Sequence, residues 1–223
     1  MSVLNSILTS KWTKVVVFLA CLAPLGLLVW RGVNGDLTAD PIAFVTHRTG
    51  DWTLRFLVIT LAITPLRKLL HLPQLIRFRR MMGLFAFFYV VLHFTTWIWL
   101  DKNFVWAELW KDVLKRPFIT LGFTGFVLLI PLAITSTAGW IRRLGGKRWQ
   151  MLHRLVYLTA ILGVIHYYWL VKSDVRKPIF YGALVAVLLA WRLGNWLVPK
   201  RGKSSAVAAG PRPAAIVTAE EPE

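Results

Sequence analysis

The chain has 223 residues, of which 57% are hydrophobic, and its formal net charge is +17. A mean hydropathy of +0.58, with the apolar residues gathered in long blocks, excludes an ordinary soluble domain. The positive charges lie in short segments between those blocks, so membrane topology explains them better than nucleic-acid binding does. A single cysteine, Cys21, excludes a disulfide framework and a cysteine-based metal site, and we expect it to be a small buried residue.

Six apolar blocks are each long enough to cross about 30 Å of hydrocarbon as a helix. They run over 12–30, 52–70, 81–100, 118–138, 149–171 and 178–198. The first block is too long for a signal peptide, lacks a small-residue cleavage site and stops directly at Arg31. The sequence therefore predicts an all-α membrane protein, in which residues 1–198 form a six-transmembrane-helix bundle.

The charges in the loops predict the orientation of this bundle. The linkers 67–80 and 139–148 carry arginine and lysine without any acid, whereas the aspartates lie in the other loops. The positive-inside rule places such basic loops, and with them both termini, in the cytoplasm. Residues 199–223 are rich in Pro, Ala, Gly and Ser and are expected to form a disordered cytoplasmic tail.

Histidines inside the blocks are the candidate functional residues, because an intramembrane ionisable side chain is expensive and usually functional. His93 and His166 lie in the outer half of the bilayer, and His153 lies in the inner half. One such histidine alone is best explained by hydrogen bonds to a neighbouring helix, but two at matching depth favour a haem iron held between them. His47, expected in an outer loop, and His71, at the inner end of the second block, are explained by solvation.

Several residues near these histidines have two interpretations. Gly122, Gly125 and Gly163 would let either a flat macrocycle or another helix approach. The aromatic residues 167–169 could wall a haem, although an aromatic belt at the membrane interface explains them better. Arg55 could pair with a haem propionate or extend to the interface.

The helix geometry separates His153 from His166. The thirteen residues between the two positions correspond to about 20 Å of rise and about 140° of rotation on an ideal helix. One haem therefore cannot take both side chains, and two haems would need a kinked helix or different azimuths.

Other kinds of active centre are not indicated. No Asp or Glu lies inside the six blocks, which argues against an ion pump. There is no Ser-His-Asp set, HExxH, GxGxxG or Walker pattern, so hydrolase chemistry is disfavoured and any nicotinamide or flavoenzyme chemistry must come from a partner.

Five segments resemble one known family. They are LAITPLRK (61–68), RFRRMMGL (77–84), LHFTTW (92–97), RRLGGKRWQMLHRLVYL (142–158) and IHYYW (165–169). The family is MsrQ, formerly YedZ, the haem-binding membrane subunits of the bacterial periplasmic methionine sulfoxide reductase system. It belongs to the ferric reductase-like transmembrane superfamily, together with the NADPH oxidases. The resemblance covers residues 10–198 and is most specific over 142–169, where order, spacing and topology match together.

This resemblance implies that His93, His153 and His166 are haem-ligand histidines. It implies one or two b-type haems, with FMN as a further cofactor of the family. Electrons would pass from the quinone pool or a cytoplasmic flavin reductase to the periplasmic molybdenum enzyme MsrP, which reduces methionine sulfoxide in proteins. The wider superfamily has a histidine fourteen residues before His93, where this chain has Arg79. His153 therefore lacks its expected partner, and it would use another, such as His71, or support a flavin.

Arg79, Arg80 and Arg148 are candidate cofactor contacts, because arginine matches haem propionates or an FMN phosphate. Membrane topology alone also explains basic residues at these positions. The expected function is that of a haem b electron-transfer subunit of the bacterial inner membrane, which is not catalytic alone. The alternatives are a small-solute transporter or channel with hydrogen-bonded histidines and an inert membrane anchor, and a visible spectrum separates the three.

Overall fold

The computed structural model describes residues 2–171 and 173–197, and every regular element in these two ranges is helical. The α-helices of this part are α1 (Ser2–Thr9), α2 (Lys11–Val33), α3 (Pro41–Leu69), α4 (Ile76–Thr96), α5 (Trp106–Lys115), α6 (Pro117–Ile134), α7 (Ala138–His153), α8 (Leu155–Leu170) and α9 (Arg176–Leu197). A 3-10 turn (Pro73–Leu75) precedes α4, and a π-turn (Trp97–Asp101) follows it. The predicted tail, 199–223, lies outside the described residues.

The helices agree with a membrane protein that crosses the bilayer several times. Within the described ranges, four segments are long and apolar enough to span: Lys11–Val33, Pro73–Asp101, Pro117–Ile134 and Arg176–Leu197. Helices also occupy the other two predicted spans, but α3 carries several charged residues and α8 has only 16 residues. The all-α, multi-pass architecture is confirmed, and the count of six spans stays a prediction.

The start of α3 differs from the predicted start of the second span. The Asp40 side chain caps this helix by accepting a hydrogen bond from the Ala43 amide at 2.9 Å, and Pro41 occupies its first turn. The helix therefore begins eleven residues before the predicted position, 52. His47 and Asp51 consequently lie on α3 and not in an outer loop.

Both basic linkers are largely helical. Because α4 begins at Ile76, Arg79 and Arg80 project from its first turns. The second linker is taken up by α7, which includes Arg148 and ends at His153. These cationic side chains are therefore held on helices at one end of the bundle.

The fifth predicted span is divided into two helices. The division lies at Arg154, where the backbone changes to i→i+3 hydrogen bonds and the Arg154 amide lies 3.1 Å from the Met151 carbonyl oxygen. Before this span, α7 is also kinked at Gly145, whose φ of 71° is a left-handed value that favours glycine. His153 thus ends one helix, and His166 lies on the next.

The core is centred on the contact between α3 and α4. Tyr89 is 1% exposed, and its ring stacks on Phe56 with the ring centres 5.3 Å apart. Phe56 in turn stacks on Phe85 at 5.6 Å. Cys21 is buried, as expected, with its Sγ 4.0 Å from the sulfur of Met82.

The Tyr89 hydroxyl joins α2 to this core. It donates to the Cys21 carbonyl oxygen at 2.9 Å and accepts from the Leu25 amide at 3.1 Å. An uninterrupted α-helix pairs two such groups directly, and Pro24, which has no amide proton, lies between them. The hydroxyl therefore satisfies backbone groups beside the proline of α2.

Candidate functional site

A cavity of about 510 Å³ lies between α3, α4, α6 and α8, at the end of the bundle where α3 and α6 begin. Most of its wall is apolar, and its polar lining includes three histidines and a few charged side chains. Among the polar lining residues are Asp40, His47, Asp51, His93, Asp101, Arg116, His166 and Tyr167. A mainly apolar cavity with few, placed polar groups is typical of a ligand or cofactor site.

His93 of α4 and His166 of α8 come together in this cavity. Their ring centres are 6.2 Å apart, and the ring planes are inclined by 76°. A metal bonded to one nitrogen of each ring at about 2 Å would put the two ring centres roughly 6 Å apart. The distance between the rings therefore fits a single metal ion between them.

Hydrogen bonds to the backbone decide which nitrogen of each ring is free. The Nδ1 atom of His93 lies 2.8 Å from the Thr46 carbonyl oxygen of α3, and Nδ1 of His166 lies 2.6 Å from the Phe118 carbonyl oxygen of α6. A carbonyl oxygen only accepts, so each Nδ1 carries the proton and donates it. Each Nε2 keeps its lone pair, which is the form of imidazole that binds a metal.

Two glycines provide the space for these rings. A Cβ atom at Gly122 would lie 2.8 Å from Nδ1 of His166, and one at Gly50 would lie 3.1 Å from Nδ1 of His93. At Gly125 and Gly163 a Cβ atom would make only ordinary contacts of 3.9 and 3.7 Å.

Of the three glycines that the sequence singled out, only Gly122 backs a histidine ring. Gly50 was missed because its segment was predicted to be a loop, where glycine is common. The sequence feature that could have identified Gly50 is the helix start at Asp40 and Pro41, which puts Gly50 on a helix, one turn after Thr46.

His153 lies outside this cavity and is bonded differently. Its Nε2 is 3.0 Å from the Thr135 hydroxyl, and its ring stacks on Trp149 with the centres 4.0 Å apart. The Thr135 hydroxyl donates its own proton to the Pro131 carbonyl oxygen at 2.6 Å. Nε2 of His153 therefore donates to Thr135, and only Nδ1 keeps a lone pair.

The three arginines predicted to contact a cofactor have different surroundings. Arg79 is half-buried, and its charge acts on His153, so the two residues are neighbours. Arg80 and Arg148 are exposed. His71, the suggested partner of His153, is exposed in the turn after α3, with a left-handed φ of 54°.

Arg192 of α9 is a candidate that the sequence reasoning missed. It donates to the Tyr157 hydroxyl at 2.7 Å and to the Leu61 carbonyl oxygen at 3.0 Å. Arg192 and Arg67 both lie near Arg79, and we call Arg67, Arg79 and Arg192 the inner arginine cluster. None of the three pairs with a carboxylate in the part of the chain that the structure describes. A charged residue inside the last apolar block was the available signal.

The contacts of Arg55 and the aromatic run distinguish their alternative interpretations. Tyr167 lines the cavity, whereas Tyr168 and Trp169 are 47% and 53% exposed, as residues of an interfacial belt are. Nε of Arg55 donates to the Tyr181 hydroxyl at 3.0 Å, and Arg55 does not line the cavity.

An ion-pair cluster lies next to the cavity, where α5 joins α6. The Asp112 carboxylate is 2.8 Å from Nζ of Lys102 and 3.1 Å from Nε of Arg116. The hydrogen bond to Asp112 raises the pKa of the Lys102 ammonium. The cluster holds Arg116 at the cavity wall.

Comparisons with known proteins identify relatives over most of the chain. Residues 49–164 match the family described as "Ferric reductase like transmembrane component". A "Protein-methionine-sulfoxide reductase heme-binding subunit MsrQ" from Herminiimonas arsenicoxydans is 57% identical over 197 residues, which cover 87% of this chain and 90% of the relative. The subunit of that name from Caulobacter vibrioides is 56% identical over 178 residues, which cover 80% of this chain and 85% of the relative. The subunit of that name from Xanthomonas euvesicatoria pv. vesicatoria is 50% identical over 194 residues, which cover 84% of this chain and 88% of the relative.

Proposed function

Because this chain belongs to the ferric reductase-like transmembrane family and, within it, to the MsrQ subunits, we propose that it holds a b-type haem between His93 and His166 and passes electrons through it. The observation that carries the proposal is the facing pair of imidazoles with both Nε2 lone pairs free. When bound, the haem would supply reversible one-electron chemistry, and ligation by both His93 and His166 would leave no ligand position for oxygen.

The residues of the cavity fit such a group. Backbone carbonyls hold His93 and His166 by Nδ1, so the lone pair of each ring is on Nε2, and the distance between the rings fits a metal. The apolar side chains of the wall exclude water from the site. Arg116 brings a positive charge suited to a carboxylate of the group.

In this proposal the chain is the electron-transfer subunit of a periplasmic protein-methionine-sulfoxide reductase and is not catalytic alone. The donor is the quinone pool or a cytoplasmic flavin reductase. The acceptor is a periplasmic molybdopterin subunit like MsrP, which reduces methionine sulfoxide in oxidised proteins. The names of the relatives, which call them haem-binding subunits of a protein-methionine-sulfoxide reductase, support the role of the chain as a subunit of that system.

In the same proposal, the protein crosses the bacterial inner membrane six times and has both termini in the cytoplasm. The acid-free basic linkers 67–80 and 139–148 support this orientation. The cavity then lies in the periplasmic half of the bilayer, on the side of the proposed acceptor.

The inner end is assigned to a second cofactor, either a haem or FMN. His153 lies there beside Arg79, and the exposed Arg80 and Arg148 lie on the same basic end. The inner arginine cluster supports the proposal, because its guanidinium groups pair with no carboxylate among residues 2–171 and 173–197, and such groups suit a phosphate or a propionate. Direct ligation by His153 uses Nδ1, or Nε2 after it leaves Thr135.

A visible spectrum of the purified protein tests the haem proposal. We expect a Soret band and sharp α and β bands on dithionite reduction. His93→Ala and His166→Ala should each remove the haem of the cavity, because each removes one of its two axial ligands. His153→Ala is the control and should retain that haem.

Two results would contradict the proposal. Folded, stoichiometric protein without haem absorption would reject it and favour a transporter or an inert anchor. Loss of all haem in His153→Ala alone would show that the pairing of His93 with His166 is wrong.

A further inference from the structure

The hydrogen bond of His166 depends on a gap in the surface of α6. Its acceptor, the Phe118 carbonyl, is four residues before Gly122, the glycine against which the ring lies. In an α-helix the amide of residue i+4 donates to the carbonyl of residue i, so the Phe118 oxygen is also the acceptor of Gly122. His166 therefore adds a second donor to a carbonyl of the helix ladder.

The hydrogen bond of His93 has the same construction on α3. Its acceptor is the Thr46 carbonyl, and the ring lies against Gly50, again four residues later. The two half-sites thus share one arrangement, a histidine on one helix with a carbonyl at i and a glycine at i+4 on its neighbour.

The spacing of four residues has a steric reason. Every Cα–Cβ bond of a helix is tilted towards the helix N-terminus, so a Cβ atom at i+4 leans over the carbonyl at i. That is where each imidazole lies. An added Cβ atom would clash with the ring at Gly122, at 2.8 Å, and would press on it at Gly50, at 3.1 Å, so glycine at i+4 gives each ring room to reach the carbonyl.

We propose that Gly50 and Gly122 are positioning residues that set the midpoint potential of the haem by opening the Thr46 and Phe118 carbonyls to the axial histidines. This inference rests on the proposed haem function. A hydrogen bond from Nδ1 makes Nε2 a stronger electron donor, which stabilises ferric iron and lowers the potential. Lengthening that bond raises the potential.

Alanine substitutions at the glycines test this role. Gly122→Ala places a methyl group 2.8 Å from the His166 ring, so we expect haem affinity to fall about 10- to 100-fold and the potential of the remaining haem to become more positive. Gly50→Ala, with a contact of 3.1 Å, should retain haem and shift the potential in the same direction by less. The control is Gly26→Ala on α2, where an added Cβ atom would have no neighbour within 4 Å and which does not line the cavity, so its potential should equal that of the parent.

The measurements are a redox titration followed in the α band and the ferric electron paramagnetic resonance spectrum, which reports the orientation of the axial rings. Equal potentials and spectra in all four proteins, or a shift to more negative values, would overturn the inference. If Gly122→Ala does not fold, the milder Gly50→Ala decides by the same criteria. A parent protein without haem contradicts the proposed function, whereas a haem-loaded parent with unaffected glycine variants contradicts this inference alone.

Discussion

The ring nitrogen that makes the hydrogen bond distinguishes His153 from His93 and His166. All three lie in apolar blocks of the same chain, yet His93 and His166 donate from Nδ1 and His153 donates from Nε2. The acceptor of His153, the Thr135 hydroxyl, is itself committed to the Pro131 carbonyl. Thr135 therefore determines which nitrogen His153 has available.

Thr135→Val removes this acceptor while keeping the shape of the side chain. We expect the free energy of unfolding to fall by about 0.6–1.7 kcal/mol, the range of side-chain hydrogen bonds in membrane proteins. The haem spectrum of the cavity should not change, because Thr135 does not line the cavity. Thermal denaturation in detergent followed by circular dichroism measures the stability.

Thr124→Val is the control for this substitution, since Thr124 is exposed and bonds only to its own helix. A changed haem spectrum in Thr135→Val, with Thr124→Val unchanged, would mean that His153 contacts a haem, either in the cavity or at the inner end.

The sequence could predict the depth of these histidines in the membrane, but it could not predict their hydrogen-bond partners. Position within an apolar block predicts that His93 and His166 lie in the same half of the membrane, and the structure brings their rings together. Which carbonyl or hydroxyl each ring meets depends on contacts between residues 18 to 48 positions apart. Such partners leave no local pattern in a single sequence.

At the scale of elements, α5 shows how a short helix is attached beside the cavity. Its buried face consists of Leu109, Asp112 and Val113. Its exposed face presents apolar residues four positions apart, Trp106, Trp110 and Leu114, which are 63%, 56% and 80% exposed. The buried carboxylate of Asp112 attaches this helix to its neighbours, because it pairs with Lys102, which precedes α5, and with Arg116, which follows it.

Asp112→Asn should loosen α5 from α6. The substitution removes the charge that pairs with the mostly buried Lys102, and a hydrogen bond to a charged group contributes about 1.5–3 kcal/mol. We expect faster hydrogen exchange and proteolysis over 102–116, with the rest of the bundle unchanged. Asp174→Asn is the control, because the Asp174–Arg176 pair is exposed and exposed pairs contribute little.

The pH dependence of this attachment has a definite sign. Since the Asp112 hydrogen bond raises the pKa of Lys102, the stabilisation is complete below the ordinary lysine pKa of about 10.4 and is lost as the pH rises through the raised value. Protection of 102–116 should therefore be constant between about pH 6 and 9 and should fall only in strong alkali. A loss of protection near neutral pH in the parent would contradict the assignment of Lys102 as the partner.

Helix boundaries show where local signals suffice. The early start of α3 follows from the Asp40 cap and Pro41, which are local and readable. The helix was nevertheless predicted too short, because charged residues such as Arg48 and Asp51 lower the hydropathy of its first turns. The place of Arg192 against Leu61 could not be predicted, since it depends on how α9 packs on α3.

At the scale of the whole molecule, the sole cysteine allows the topology to be tested. Cys21 is 5% exposed, so the parent should not react with a membrane-impermeant maleimide. Asp36→Cys and Ser173→Cys should be labelled on intact cells from which the outer membrane has been removed. Arg142→Cys should be labelled only after the inner membrane is opened, because basic linkers are retained in the cytoplasm.

The same substitutions in a Cys21→Ala background control for slow exposure of the native thiol. Labelling of Arg142→Cys from outside, with Asp36→Cys protected, would contradict the placement of both termini in the cytoplasm.

The position of the two cavity histidines also bears on how the bundle assembles. α3 packs mainly on α4 and α6 mainly on α8, with far fewer contacts between these two pairs. Each pair contains one histidine together with the carbonyl and glycine that orient it, so each can prepare its own imidazole before the pairs meet. A metal bonded to both rings would connect position 93 with position 166 like a removable cross-link, and at a free concentration 100 times its dissociation constant it would add about 2.7 kcal/mol to the folded state. The supply of haem would then control how much of this protein persists in the membrane, in addition to how fast electrons cross it.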